Sequence, residues 1–225
     1  MIRLKTLAAS AAAACFCAIA LLPAQADVAV VKAAGVDAWL ESDGTVPVAA
    51  IAFRIEGGAA FDPPALQGRA RMAATLLTEG AGPYDAAAFK KKLADLSASI
   101  EIQATQDALV GDIYALTDAI EEAAELLGLA LTQPRFDPDP LERARASYIS
   151  SLERMRSEPS RKAYRAWLET AFANHPYERS TRGLKSTLAV IQREDLTAFT
   201  QERFGRDRLI VAAAGDLTDA KLARV

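Results

Sequence analysis

Helices packed on one sheet, an α+β fold, are what this 225-residue sequence predicts. Three observations carry that expectation. The run "VPVAAIAFRIEGG" (46–58) is β-branched and closes on paired glycines. The segment "YDAAAFKKKLADLSA" (84–98) sets Phe89, Leu93 and Leu96 at helical spacing. The two kinds of segment come in blocks, strands then helices then strands then helices, an order that suits a layered α+β domain.

The first 26 residues, "MIRLKTLAASAAAACFCAIALLPAQA", read as an export leader. Arg3 and Lys5 form its basic end, Leu7 to Leu22 its apolar middle, and Ala24-Gln25-Ala26 a small-x-small cleavage site. A retained membrane anchor would want about 20 apolar residues, and a lipoprotein site would want a leucine where Cys15 follows alanines. The reading is therefore a cleaved signal, a mature chain from Asp27, and a periplasmic or secreted location with no membrane association after cleavage. Both cysteines, Cys15 and Cys17, leave with the leader, so the mature chain has neither disulfide nor thiolate. About 200 remaining residues suffice for one well-buried domain. The whole chain has 26 basic and 29 acidic residues, net −3, and loss of Arg3 and Lys5 makes the mature form more negative, which argues against nucleic acid as a partner.

"DAWLES" (37–42) alternates as a strand, and 46–58 follows as a second. After the turn "FDPP" (61–64), Leu66, Ala70, Ala73 and Leu77 lie on one side of a helix bracketed by Gly68 and Gly80. Pro83 separates it from the helix at 84–98. "SIEIQATQ" (99–106) and "ALVGDIYAL" (108–116), turned at Asp107, make an antiparallel pair. Asp118 with Glu121 is read as a capping pair for a helix through Leu131. "DPDP" (137–140) opens a long helix, since proline is tolerated in a first turn, and Pro159 interrupts it before a further helix to about residue 173. The loop "NHPYERSTRG" (174–183) leads to a helix at 193–204, the strand "RLIVAAAGDL" (208–217), and a helix just beginning, with Thr218 as its cap. Residues 27–225 are thus expected to form one domain, cut short at its C-terminal end.

This order of landmarks resembles the N-terminal domain of the pitrilysin/insulinase-type (M16) peptidases. The resemblance rests on the glycine pair and Asp62 at 57–62, the "GRA…LLTEGAG" helix, "SASIEIQATQD", the long "LERARASYISSLERMRSEP" helix, "HPYERSTRG", "VIQREDLTAFTQERF" and "LIVAAAGDL". It implies a mixed, mainly antiparallel sheet packed with several helices, the LuxS/MPP-like metallohydrolase fold. Active members carry H-x-x-E-H on the first helix: the imidazoles at i and i+4 share one face and bind zinc, and the intervening glutamate activates its water. The resemblance puts Arg71 and Thr75 at the two histidine positions and Ala74 at the base. The third ligand, a glutamate on the long helix, falls near Ser150 or Ser151, with Glu153 out of step.

Independently of any alignment, the chain has one histidine, His175, and no cysteine after the leader, so a His-pair or thiolate zinc site cannot be assembled. His175 sits in an "HPY" that resembles a structural loop of the family and has no nearby nucleophile to serve. Ser150 and Ser151 lack the G-x-S-x-G elbow of a serine hydrolase.

The departures resemble the family's non-catalytic subunit class. That implies a pseudo-peptidase without catalytic residues, metal or cofactor of its own, pairing with an active zinc subunit to enclose a peptide. In active relatives the strand matching "SIEIQATQ" adds a peptide by backbone hydrogen bonds, which makes Ile100, Glu101 and Ile102 the candidate peptide contacts; the alternative is an ordinary sheet strand. Two other readings stay open: a stand-alone periplasmic module that binds unfolded peptides, and a metallopeptidase with unrecognised ligands. Arg143, Arg145, Arg154, Arg156, Arg161, Lys162 and Arg165 interleave with Glu142, Glu153, Glu158 and Glu169, either as a salt-laced solvated face or as a surface for an acidic partner.

Overall fold

The computed structural model describes residues 28–225; the leader assigned to residues 1–26 lies outside them. The centre is a six-stranded sheet in the order β1-β2-β8-β3-β7-β6. Its strands are β1 (Val28–Ala33), β2 (Val36–Ser42), β3 (Val48–Glu56), β6 (Ser99–Ala104), β7 (Ala108–Leu116) and β8 (Leu209–Gly215). β4 (Gly80–Ala81) and β5 (Tyr84–Asp85) form a separate short ribbon. All pairings in the main sheet are antiparallel except β2 with β8.

The period-two pattern decides which way β3 faces. Ala49, Ile51, Phe53 and Ile55 are buried, and the residues between them are exposed or half-buried. β7 repeats this with Leu109, Ile113 and Ala115, so one face of the sheet is the core and the other is open. Each fully buried Ile or Phe here contributes about 1.5–3 kcal/mol relative to exposure. On the open face Val30, Trp39, Tyr114 and Ile210 remain exposed.

The core face is covered by α1 (Arg69–Leu76), α3 (Ile120–Thr132) and α7 (Arg193–Arg203), with α2 (Ala86–Asp95), α4 (Pro138–Met155), α5 (Pro159–Ala171), α6 (Lys185–Val190) and α8 (Asp219–Leu222) around them. α1 packs on β6, α4 and α7. It carries more than a one-sided stripe: Ala70, Met72, Ala73, Ala74 and Leu76 are all buried, so it is a core helix closed on nearly every side. Among the described residues no helix is long and apolar enough to cross a membrane.

Most elements fall where the sequence places them, including the break between α4 and α5 at Pro159 and the Thr218 cap, whose side chain accepts from the Lys221 amide. Others differ. β1, the β4–β5 ribbon and the short α6 are additional elements, Tyr84 and Asp85 lie in that ribbon rather than in the helix expected at 84–98, and Leu66 belongs to a 3-10 turn (Pro64–Leu66) ahead of α1 rather than to the helix itself. The expected Asp118–Glu121 capping pair does not form: Ala119 is the N-cap residue of α3, with no side-chain cap, and Glu121 instead pairs with Arg224 at 2.7 Å.

One backbone crossing fixes the neighbourhood of α1. Gly68, at its N-terminus, has φ +95°, and Gly183 in the loop before α6 has φ +73°; a Cβ on either would lie 3.1 Å from the other's Cα, and one on Gly183 would overlap the Gln67 carbonyl. Only glycine meets both the left-handed conformation and the close approach. Gly183→Ala is therefore expected to lower stability by about 2–4 kcal/mol in urea unfolding, combining αL strain with overpacking. A loss under ~0.5 kcal/mol would show that the loop can move away, since surface substitutions free of such constraints stay within that range.

Candidate functional site

α1 is held at its first turn by a side chain from outside the helix. Asp62 is 3% exposed, and its carboxylate accepts from the Gly68 amide at 3.0 Å and the Ala70 amide at 3.1 Å, two donors that the helix itself cannot satisfy. Arg69, 4% exposed, lies 3.7 Å from the same carboxylate and reaches Glu202 on α7 at 3.4 Å, with its guanidinium over the Phe199 ring. Arg179 donates to the carbonyls of Asp62 and Ala60, both at 2.8 Å, and so ties the 174–183 loop to the same point. Burial pushes the Asp62 carboxyl up to about 6, against the amide bonds and the two arginines, which pull it down.

The positions singled out in the sequence lie on the side of α1 that meets α4. Ala74 is buried at 2% exposure, and Arg71 and Thr75 are half-buried. Tyr148 of α4 bridges them: its hydroxyl is hydrogen-bonded to Thr75 Oγ1, reaches the Arg71 carbonyl at 3.5 Å, and its ring lies under the Arg71 guanidinium at 5.1 Å. What remains between Arg71, Tyr148, Ser151, Leu152, Met155 and Arg182 is a void of about 10 Å³, at the lower bound of what admits one water molecule.

Of the two serines expected at the third position, Ser151 borders this void and Ser150 does not. Ser150 faces solvent and takes a 2.7 Å hydrogen bond from Arg154, because one residue along a helix turns the side chain by about 100°. Glu153 is also outward and pairs with Lys185 at 2.7 Å. Tyr148 is the contact that sequence spacing missed; its signal was the i, i+3, i+4, i+7 series Tyr148, Ser151, Leu152, Met155 on one face of α4.

Zinc does not fit this donor set. Zinc sites draw on imidazole, thiolate and carboxylate, whereas the groups here are a guanidinium, a methyl, two hydroxyls and a phenol. Among the described residues no cluster of three or more His, Cys, Asp or Glu side chains is placed to hold a metal. His175 lies in the loop after α5, where its Nδ1 accepts from the Tyr177 amide at 3.2 Å and its ring packs against Tyr177 and Phe172.

Ile100, Glu101 and Ile102 are in β6, the edge strand beside α1. Ile100 is buried toward the helices, Ile102 half-buried, and Glu101 exposed on the alternate face. β7 occupies one side of the strand; its other backbone edge has no strand partner among the described residues.

The family model for insulinase, peptidase family M16, matches residues 38–185. The non-peptidase homolog YmxG of Helicobacter pylori is 24% identical over 177 residues, which are 79% of this chain and 41% of that protein. A probable mitochondrial-processing peptidase subunit beta of Schizosaccharomyces pombe is 20% identical over 177 residues, 79% of this chain and 39% of its own length. In fold, the chain is similar to a crystal structure of a peptidase M16 inactive domain from Pseudomonas fluorescens, with a TM-score of 0.83, 22% identity, and coverage of 88% of this chain and 48% of that one. The chain thus spans less than half the length of these relatives.

Two outcomes test the Asp62 clamp. Asp62→Ala leaves two amides without their acceptor and the buried Arg69 guanidinium without its nearest counter-charge, and is expected to cost about 3–5 kcal/mol in urea unfolding. The carboxyl, followed by NMR, should titrate near 6 in the folded chain. Since that value is raised above the unfolded one, the folded chain binds the extra proton between the two, and this group's contribution to stability is lost as pH rises through about 6. Asp62→Asn should flatten that part of the profile, and an unchanged profile would remove Asp62 from it.

Proposed function

Since the chain belongs to the insulinase-type peptidase family M16, we propose that it serves as a non-catalytic subunit of that family, exported by its leader, which pairs with an active zinc-bearing homologue and walls part of a peptide-degrading chamber. The observation that carries this reading is the Thr75–Tyr148–Arg71 contact. It fills the place where metal ligands and an activated water would be needed with groups that neither bind zinc nor act as a base.

Three further observations support it. The helix that would carry the ligands keeps its clamp at Asp62 and its packing on α4, α7 and β6, a frame held in place around Arg71, Ala74 and Thr75. The open face of the sheet presents Val30, Trp39, Tyr114 and Ile210, an apolar surface suited to a neighbouring domain or subunit. One relative bears the name non-peptidase homolog, and another is named as a subunit.

A second reading, a stand-alone periplasmic module for unfolded peptides, has the exposed backbone edge of β6 in its favour, since an extended peptide can add there by main-chain hydrogen bonds. The third, a metallopeptidase with other ligands, has no donor cluster among the described residues.

The purified chain is expected to carry zinc well below one equivalent by metal analysis and to leave an unfolded peptide intact with or without chelator. Co-expressed with a homologue that has H-x-x-E-H, it should co-purify as a stable complex. A persistent monomer in that experiment would favour the stand-alone module, and chelator-sensitive hydrolysis by the isolated chain would overturn the non-catalytic reading.

A further inference from the structure

Beside the filled site lies a groove of about 420 Å³, formed where α4 passes into α5 and closed by residues 178–182 and Gln106 after β6. It shares Leu152, Met155 and Arg182 with the residual void at Arg71, so the two adjoin. Its walls are strongly one-signed: Arg156, Arg161, Lys162, Arg165, Arg179 and Arg182 line it, against a single carboxylate, Glu178.

Much of the acidic charge nearby is committed. Glu169 pairs with Arg165 at 2.8 Å and Glu158 with Arg161 at 3.5 Å, while Glu178 accepts from the Asn174 amide at 2.8 Å. Arg179 is spent on the backbone carbonyls of Asp62 and Ala60. Arg156, Lys162 and Arg182 have no carboxylate within ion-pair distance among the described residues, nor has Arg71 next to them. Burial, then the like charges of Arg71 and Arg161, pushes the Arg182 guanidinium below its usual range. Guanidinium groups gathered without counter-charges repel one another, and an anion seated among them relieves that repulsion. The floor is apolar, from Leu152, Met155 and Leu168.

From this geometry we propose that the groove binds an acidic peptide segment, with carboxylates against Arg156, Lys162 and Arg182 and an apolar side chain on Leu152, Met155 and Leu168. The proposal rests on the reading of the chain as a peptide-facing subunit and gives that peptide a chemistry. Net charge does not announce it, because the chain as a whole is acidic and the basic residues matter only where the fold gathers them.

The test is fluorescence anisotropy of the full chain with a labelled short peptide alternating glutamate and leucine, and with its counterpart carrying lysine for glutamate. The acidic peptide is expected to bind at least about tenfold more tightly at low ionic strength, with the preference fading at ~1 M salt, where screening acts over about 3 Å. The double variant Arg156→Gln/Lys162→Gln, made at two exposed positions, should lose most of the preference at an unchanged unfolding midpoint. Arg143→Gln, outside the groove and paired with Glu79, should keep it. Equal binding of both peptides, binding of neither, or a double variant that retains the preference would overturn the proposal. The subunit reading is judged separately, by co-assembly with the zinc-bearing homologue.

Discussion

A buried carboxylate at the start of a helix is the constraint on which the rest of this site depends. The first turn of α1 exposes amide groups that have no partner within the helix, and here that turn lies in the core, where water cannot serve them. Asp62 supplies the acceptor, and in doing so it brings a negative charge to a place that disfavours it, which is why its proton affinity is raised. Arg69 and Arg179 then become necessary as counter-charges, and each carries the constraint outward, Arg69 to Glu202 on α7 and Arg179 to the loop before α6. The position of α1, the course of the 178–182 loop and the wall of the basic groove all follow from satisfying two amides.

The same helix shows how the interior is filled where zinc ligands would stand. Replacing imidazole and carboxylate by arginine, alanine and threonine would leave a cavity and unpaired polar atoms if nothing else changed, and both are destabilising in a close-packed interior. Tyr148 answers both needs at once. Its ring fills volume beneath Arg71, and its hydroxyl gives Thr75 a partner. α1 and α4 therefore meet as a packed interface joined by the Thr75–Tyr148 hydrogen bond.

How much of this could be read in advance depended on the range of the signal. β3 and β7 were legible because Ile51, Phe53 and Ile55, and Leu109 and Ile113, alternate with outward residues over nine positions each. The α4–α5 break was legible because Pro159 acts locally. β1 escaped because its turn, Ala34-Gly35, lacks the Asn-Gly or Asp-Gly signature of a tight hairpin and lies close to the leader. The insertion of β8 between β2 and β3 could not be read at all: strand order is set by the whole sheet, and residues 209–215 carry the same apolar pattern wherever they pair. At the site, Arg71, Ala74 and Thr75 were identified by their place on α1. Tyr148 is not singled out by spacing, and Ser150 and Ser151 are not told apart by it, because a count along the chain ignores which face of a helix a residue occupies.

Electrostatics connect the filled site to the groove beside it. In a zinc peptidase the metal concentrates positive charge at one point, close enough to a carbonyl to polarise it and to a water to activate it. Here the positive charge beside α1 belongs to Arg71 and Arg182, delocalised over planar guanidinium groups that do not activate a water as a metal does. On the proposed reading such a field acts on a peptide through its carboxylates rather than its amides. A zinc centre handles a peptide largely without regard to side-chain charge, whereas a guanidinium cluster discriminates by it. On the reading proposed above, this end of the domain selects acidic peptides by charge where a zinc centre would cleave a peptide bond.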